Sequence, residues 1–265
     1  MDSKKIFFGS KNGLIRLYDL KKKKKFFDFY LPEKNIDTFA LKKTNKLYIS
    51  AQSSISVWEK IKIDKWKKKT QVECNDKIQL LSFLKNSKIM VSATKNKKTL
   101  FLWNTSKKKL LFVGKSELSE KISSVKSSLQ SNFFAIASKN QKISIFDNNG
   151  LQINSLSIKK NYEKSRHLSD TCLHWFDAKT IISGGQEKKI FIWDIRIKKK
   201  IICLPGHIDE IENIESHGRY FQSNLYHFIS SGKKGTLKIW DIRKNKEILT
   251  KYKPKQKINS LDTYP

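Results

Sequence analysis

Short apolar runs recur along the chain at a spacing that no helix would give. Each is a few residues long, rich in Ile, Leu, Phe and Trp, and bounded by lysine, asparagine, serine or glycine. Six runs end in an aromatic residue followed by an acid or amide: LIRLYD (Leu14–Asp19), ISVWE (Ile55–Glu59), LFLWN (Leu100–Asn104), ISIFD (Ile143–Asp147), IFIWD (Ile190–Asp194) and LKIWD (Leu237–Asp241). The aromatic residues Tyr18, Trp58, Trp103, Phe146, Trp193 and Trp240 lie 40, 45, 43, 47 and 47 residues apart, so six units cover the chain.

The surroundings of each run repeat as well. Upstream lies a segment ending in small residues, such as LYISA (Leu47–Ala51), IMVSA (Ile89–Ala93) or TIISGG (Thr180–Gly185). Polar links such as KNG (Lys11–Gly13) and KKG (Lys233–Gly235) join it to the aromatic run, as a β-hairpin requires. A looser run follows a lysine-rich turn, as in IICL (Ile201–Leu204), and a fourth precedes the next hairpin, as in ISSVKS (Ile122–Ser127) and IENIES (Ile211–Ser216). The expectation is an all-β chain of four-strand units. Runs such as IFIW are apolar throughout, which fits strands buried on both faces between neighbouring sheets.

Four-stranded units at this period, with an aromatic-acid pair ending the third strand, resemble the WD-repeat family of β-propellers. The resemblance spans residues 1–265 and implies a single domain of six four-stranded blades. KKIFFGS (Lys4–Ser10) reads as a second strand, and the segment Lys257–Pro265 reads as the inner strand that would complete that first blade and close the ring. Seven blades, the commoner number in the family, would leave one repeat missing. Departures are clear. Gly206-His207 is the one Gly-His pair ahead of an inner strand, and Asn12, Gln52, Lys97, Asn140, Glu187 and Lys234 stand where the family's hairpin aspartate would. The family's Asp-His-Ser-Trp hydrogen-bond chain is therefore not expected in most blades, which should be held mainly by packing.

Composition narrows the function classes. Cys74, Cys172 and Cys203 have no CxxC spacing and suggest a reducing, intracellular setting, and no long apolar segment suggests a membrane span. The five histidines lie at no metal-ligand spacing, and neither GxSxG nor a phosphate-cradling glycine loop occurs. The reading is a non-enzyme without cofactor, metal or small-molecule substrate. Net charge is +31, yet five arginines stand among 55 basic residues. Nucleic-acid readers favour arginine's planar fork, so the lysine excess is open to two readings: selected affinity for polyanions, or a solvated surface shaped by coding bias.

Candidate contact residues follow from the turns. Trp-Asp-Ile-Arg occurs at Trp193–Arg196 and Trp240–Arg243. It resembles the box by which WD-repeat substrate receptors meet the adaptor of cullin-based ubiquitin ligases, which implies adaptor contact by Arg196 and Arg243. The plain alternative is a turn arginine paired with a local carboxylate. Lys107 and Lys198 belong to lysine clusters that follow the third strand, and the insert KIKIDKWKKK (Lys60–Lys69) is expected to expose Trp66 beside Lys67 as a stacking and phosphate-contact site. The overall expectation is a scaffold for other proteins in a larger, nuclear, ribonucleoprotein-related complex of splicing or ribosome assembly. Direct RNA binding and a ligase-receptor role stand as alternatives.

Overall fold

The computed structural model describes residues 5–9, 12–19, 24–30, 36–42, 46–62, 65–84, 88–94, 98–105, 111–118, 121–128, 130–139, 141–157, 170–216, 226–244 and 246–252. These residues form strands and turns without a helix. The first sheet joins β1 (Lys5–Gly9), β2 (Leu14–Asp19) and β3 (Lys24–Tyr30). The second joins β4 (Ile36–Lys42), β5 (Lys46–Ala51), β6 (Ser54–Lys62) and β7 (Lys65–Glu73). The third joins β8 (Leu80–Phe83), β9 (Ile89–Ala93), β10 (Thr99–Asn104) and β11 (Leu111–Glu117). The fourth holds β12 (Ile122–Ser127), β13 (Phe134–Ser138), β14 (Lys142–Phe146) and β15 (Gln152–Ser157). The fifth holds β16 (Cys172–Trp175), β17 (Thr180–Gly184), β18 (Lys189–Asp194) and β19 (Lys199–Pro205). The sixth holds β20 (Ile211–Ser216), β21 (His227–Gly232), β22 (Leu237–Asp241) and β23 (Lys246–Tyr252). Each sheet is an antiparallel meander in chain order. The Lys257–Pro265 segment, expected to add a strand beside β1, lies outside the described residues.

The chain falls into two compact units. Met1–Phe83 with Ser87–Leu118 holds the first three sheets, and Leu84–Asn86 with Ser119–Pro265 holds the last three. Within each unit a sheet is apolar on both faces, because successive residues of a strand point to opposite sides. In the first unit, Leu47, Ile49 and Trp58 pack with Ile15 of the first sheet. Their neighbours Tyr48, Ile55 and Val57 pack with Met90 and Trp103 of the third. In the second unit, Ile181, Phe191 and Trp193 meet Ala135, Ile143 and Ile145. Ile182, Ile190 and Ile192 turn the other way, onto Phe228 and Trp240. This is why the IFIW run carries no polar alternation. Trp58, Trp103, Trp193 and Trp240 each pack onto the sheet that precedes their own.

One irregularity recurs in all six sheets. Between the aromatic marker and the residue just before it, the marker strand's pairing with the strand that follows it slips, leaving an extra residue on that following strand. The surplus residues are Phe26, Lys69, Val113, Ile153, Ile201 and Ile248. The markers themselves share one register on the other side, opposite Ile6, Leu47, Met90, Phe134, Ile181 and Phe228. A bulge increases local twist and breaks the edge as a template for further pairing.

Hairpin corners carry left-handed backbone. Gly13 and Gly235 take φ near +85°, where a Cβ is unfavourable, and Gln52, Gln141 and Lys188 hold the corresponding corners without that freedom. The indole N–H groups find serines on the second strand: Trp103 Nε1 donates to Ser92 Oγ (2.7 Å), Trp193 to Ser183 (2.9 Å) and Trp240 to Ser230 (2.8 Å). In the sixth sheet His207 Nε2 joins Ser230 Oγ at 2.6 Å. The Ser-Trp half of the expected-absent chain thus persists in three sheets and gains its histidine in one. Trp58 instead donates to Ser56 on its own strand (3.1 Å).

Candidate functional site

The two Trp-Asp-Ile-Arg turns are built alike. The aspartate ends the third strand, and its Oδ1 accepts the backbone N–H two residues on, 2.8 Å for Arg196 to Asp194 and 2.9 Å for Arg243 to Asp241. That bond folds the arginine back over the same carboxylate. Arg196 Nε donates to Asp194 Oδ1 at 2.9 Å and its terminal nitrogen to Oδ2. Arg243 does the same at 3.3 and 3.2 Å and also lies over the Tyr226 ring, 4.1 Å from its centroid.

Both carboxylates are held ionised. The Arg196 guanidinium keeps Asp194 at about 2 in spite of some burial. Burial opposes ionisation of Asp241, but the Arg243 side chain and backbone N–H, with His227 nearby, outweigh it and also keep it at about 2. The side chains of Arg196 and Arg243 remain 60% and 55% exposed, so each presents a pinned, planar donor surface to solvent.

Among the lysine candidates, Lys67 and Lys198 are exposed, and Lys198 closes the β18–β19 turn with φ +55°. Lys107 lies outside the described residues. Trp66 overturns its expectation. The insert that carries it does not protrude as a loop; it lengthens the β6–β7 hairpin, where Trp66 pairs with Lys60. Strand alternation then sends Lys67 and Lys69 outward and Trp66 inward, 9% exposed, into the cluster of Ile15, Leu47, Ile49 and Trp58. No stacking platform exists there.

The second unit contains a polar layer that stretch-by-stretch reading missed. Lys126, His174 and Glu215 pair with Ala135, Ile182 and Ile229, which makes them the same register position of β12, β16 and β20. Lys126 Nζ reaches Glu215 Oε1, and His174 Nδ1 meets Glu215 Oε2 at 2.9 Å. The backbone N–H of Ser216 points at His174 Nε2 (3.2 Å), which makes that nitrogen an acceptor and leaves Nδ1 on the side of the carboxylate. Burial pushes Glu215 up, yet the His174 bond and the Lys126 charge prevail and hold it at about 2. Stacking ISSVKS, CLHW and IENIES by their pairing partners would have revealed the layer.

Neither a protein-family model nor a curated protein matches the chain.

Cys74 is buried and Cys172 partly so, while Cys203 is exposed. Burial raises Cys74 to about 11 and Cys172 to about 12, leaving both as unreactive thiols near neutrality. Among the described residues no three His, Cys, Asp or Glu side chains gather as a metal site.

Proposed function

We propose that the chain is a six-bladed WD-repeat propeller that works as a non-catalytic scaffold, holding protein partners in a larger nuclear, ribonucleoprotein-related assembly. In this reading the Lys257–Pro265 segment supplies the fourth strand of the first blade and closes the ring. The observation that carries it is the bulge beside the aromatic marker in every sheet. Six units that repeat one bulge beside the marker suit a molecule whose task is to present surfaces. The exposed, carboxylate-pinned arginines at 196 and 243 and the lysine-rich turns are the contact groups the reading assigns.

The test is recovery of the tagged protein from lysate with and without nuclease. Protein partners retained after nuclease support the scaffold; partners lost on treatment favour the RNA-binding alternative. Removal of residues 257–265 tests ring closure, and an unchanged thermal midpoint would count against it. The ligase-receptor alternative draws on the solvent-facing guanidiniums. Arg196→Ala together with Arg243→Ala should release an adaptor under that alternative and leave other partners bound. RNA binding keeps the basic charge as its support but loses the stacking role of Trp66, so it would rest mainly on phosphate contacts and fall steeply with salt.

A further inference from the structure

The rim around the β18–β19 turn combines exposed aliphatic side chains with a cluster of basic ones. At the turn itself Arg196, Lys198, Lys199 and Lys200 stand against Asp194, which Arg196 already engages, with Asp177 also near Arg196. Within the same stretch Ile197 and Ile201 are 55% and 52% exposed. Ile201 is the bulge residue of its outer strand, turned out of the ladder by the extra backbone unit. The preceding sheet adds Leu151, 66% exposed, and its own bulge residue Ile153, 46% exposed. Asn154 Nδ2 donates to Ile195 O at 2.7 Å, which ties β15 to the turn that bears Ile197. Aliphatic side chains from two sheets therefore stand within a few residues of one hydrogen bond, with Lys198 and Lys199 exposed beside them.

Charge selects the occupant. A second copy of a chain carrying +31 would bring like charge onto like charge. RNA would find phosphate partners but no ring to stack on, because the apolar groups here are aliphatic. Strand addition along β19 is obstructed by its bulge and by Pro205, which lacks an N–H. What fits is a segment that brings carboxylates and large aliphatic side chains together.

We propose that this rim docks a short acidic, leucine- or isoleucine-bearing segment of a partner protein, its apolar side chains on Leu151, Ile153, Ile197 and Ile201 and its carboxylates on Lys198 and Lys199. The proposal rests on the scaffold reading and names one of its surfaces.

Two capped, fluorescein-labelled peptides test it on the full chain by anisotropy at about physiological salt. One intersperses glutamates with leucines, and the other replaces each leucine with serine. The leucine peptide should bind about tenfold tighter or more, as burial of two or three aliphatic groups implies. The doubly substituted Ile197→Ser, Ile201→Ser chain should abolish that difference, leave serine-peptide binding unchanged and keep the parent thermal midpoint. Equal binding of the two peptides, or a difference that survives the double substitution, would overturn the proposal. A dimer in sedimentation that the double substitution dissolves would overturn it as well, since the occupant would be a second copy. Partners retained after nuclease while the peptides bind alike would sink this surface and leave the scaffold standing. Partners lost while the leucine preference holds would do the reverse.

Discussion

His174 and Glu215 occupy one register position on consecutive inner strands and meet through Nδ1 and Oε2 at 2.9 Å. Lys126, at the same position of the strand before, joins the other carboxylate oxygen. One partly buried anion thus faces a cationic and an imidazole group from two sheets.

Acid should expose the layer. Glu215 is lowered from an ordinary value of 4.5 to about 2, so its contribution is complete above pH 4.5 and is lost as pH falls towards 2. Glu215→Gln should lower the thermal midpoint at pH 7 and flatten its decline between pH 4.5 and 2, read by circular dichroism. An identical slope in both proteins would show that Glu215 does not govern this window.

The indole-serine pairs predict an asymmetry. Trp193→Ala removes a side chain 2% exposed at the heart of a core cluster and should cost about 3–5 kcal/mol. Ser183→Ala leaves the ring in place but takes away its acceptor, and about 1–3 kcal/mol is expected for the stranded N–H. Urea unfolding of both variants checks the order.

Corner residues should respond to backbone freedom rather than contacts. Gly235→Val places a β-branched side chain at φ +86° and should cost about 1–3 kcal/mol. Lys188→Gly, at φ +57°, should be neutral or stabilising by up to about 1 kcal/mol. Thermal midpoints of the two variants should move apart.

Trp66 and Lys67 are adjacent and should behave oppositely. Trp66→Ala should destabilise by about 3–5 kcal/mol because the ring lies in the core, while Lys67→Ala should stay within about 0.5 kcal/mol. Were Trp66 exposed, its replacement would be silent in a denaturant titration.

The sequence made the strands legible because the marker and the small-residue run repeat in phase. LIRLYD, IFIWD and LKIWD form strands at the quoted positions, and the absence of polar alternation in IFIW followed from burial on both faces. Trp66 was misread because the lysines on either side suggested an exposed insert. Period two in KWKKKTQV separates one inward ring from outward charges, and composition hides that alternation. Lys126, His174 and Glu215 escaped because inner strands carry no marker residue, so their common register appears only through their pairing partners. Ser92, Ser183 and Ser230 were visible as small residues, but their bonds to Trp103, Trp193 and Trp240 depend on how two strands are offset.

The surplus residue beside each marker has a consequence for how such a chain tolerates change. Marker intervals range from 40 to 47 residues, yet the side chains that face the adjoining sheet stay in step. A kink of constant form beside each marker lets the turns grow or shrink while the side chains between neighbouring sheets keep time.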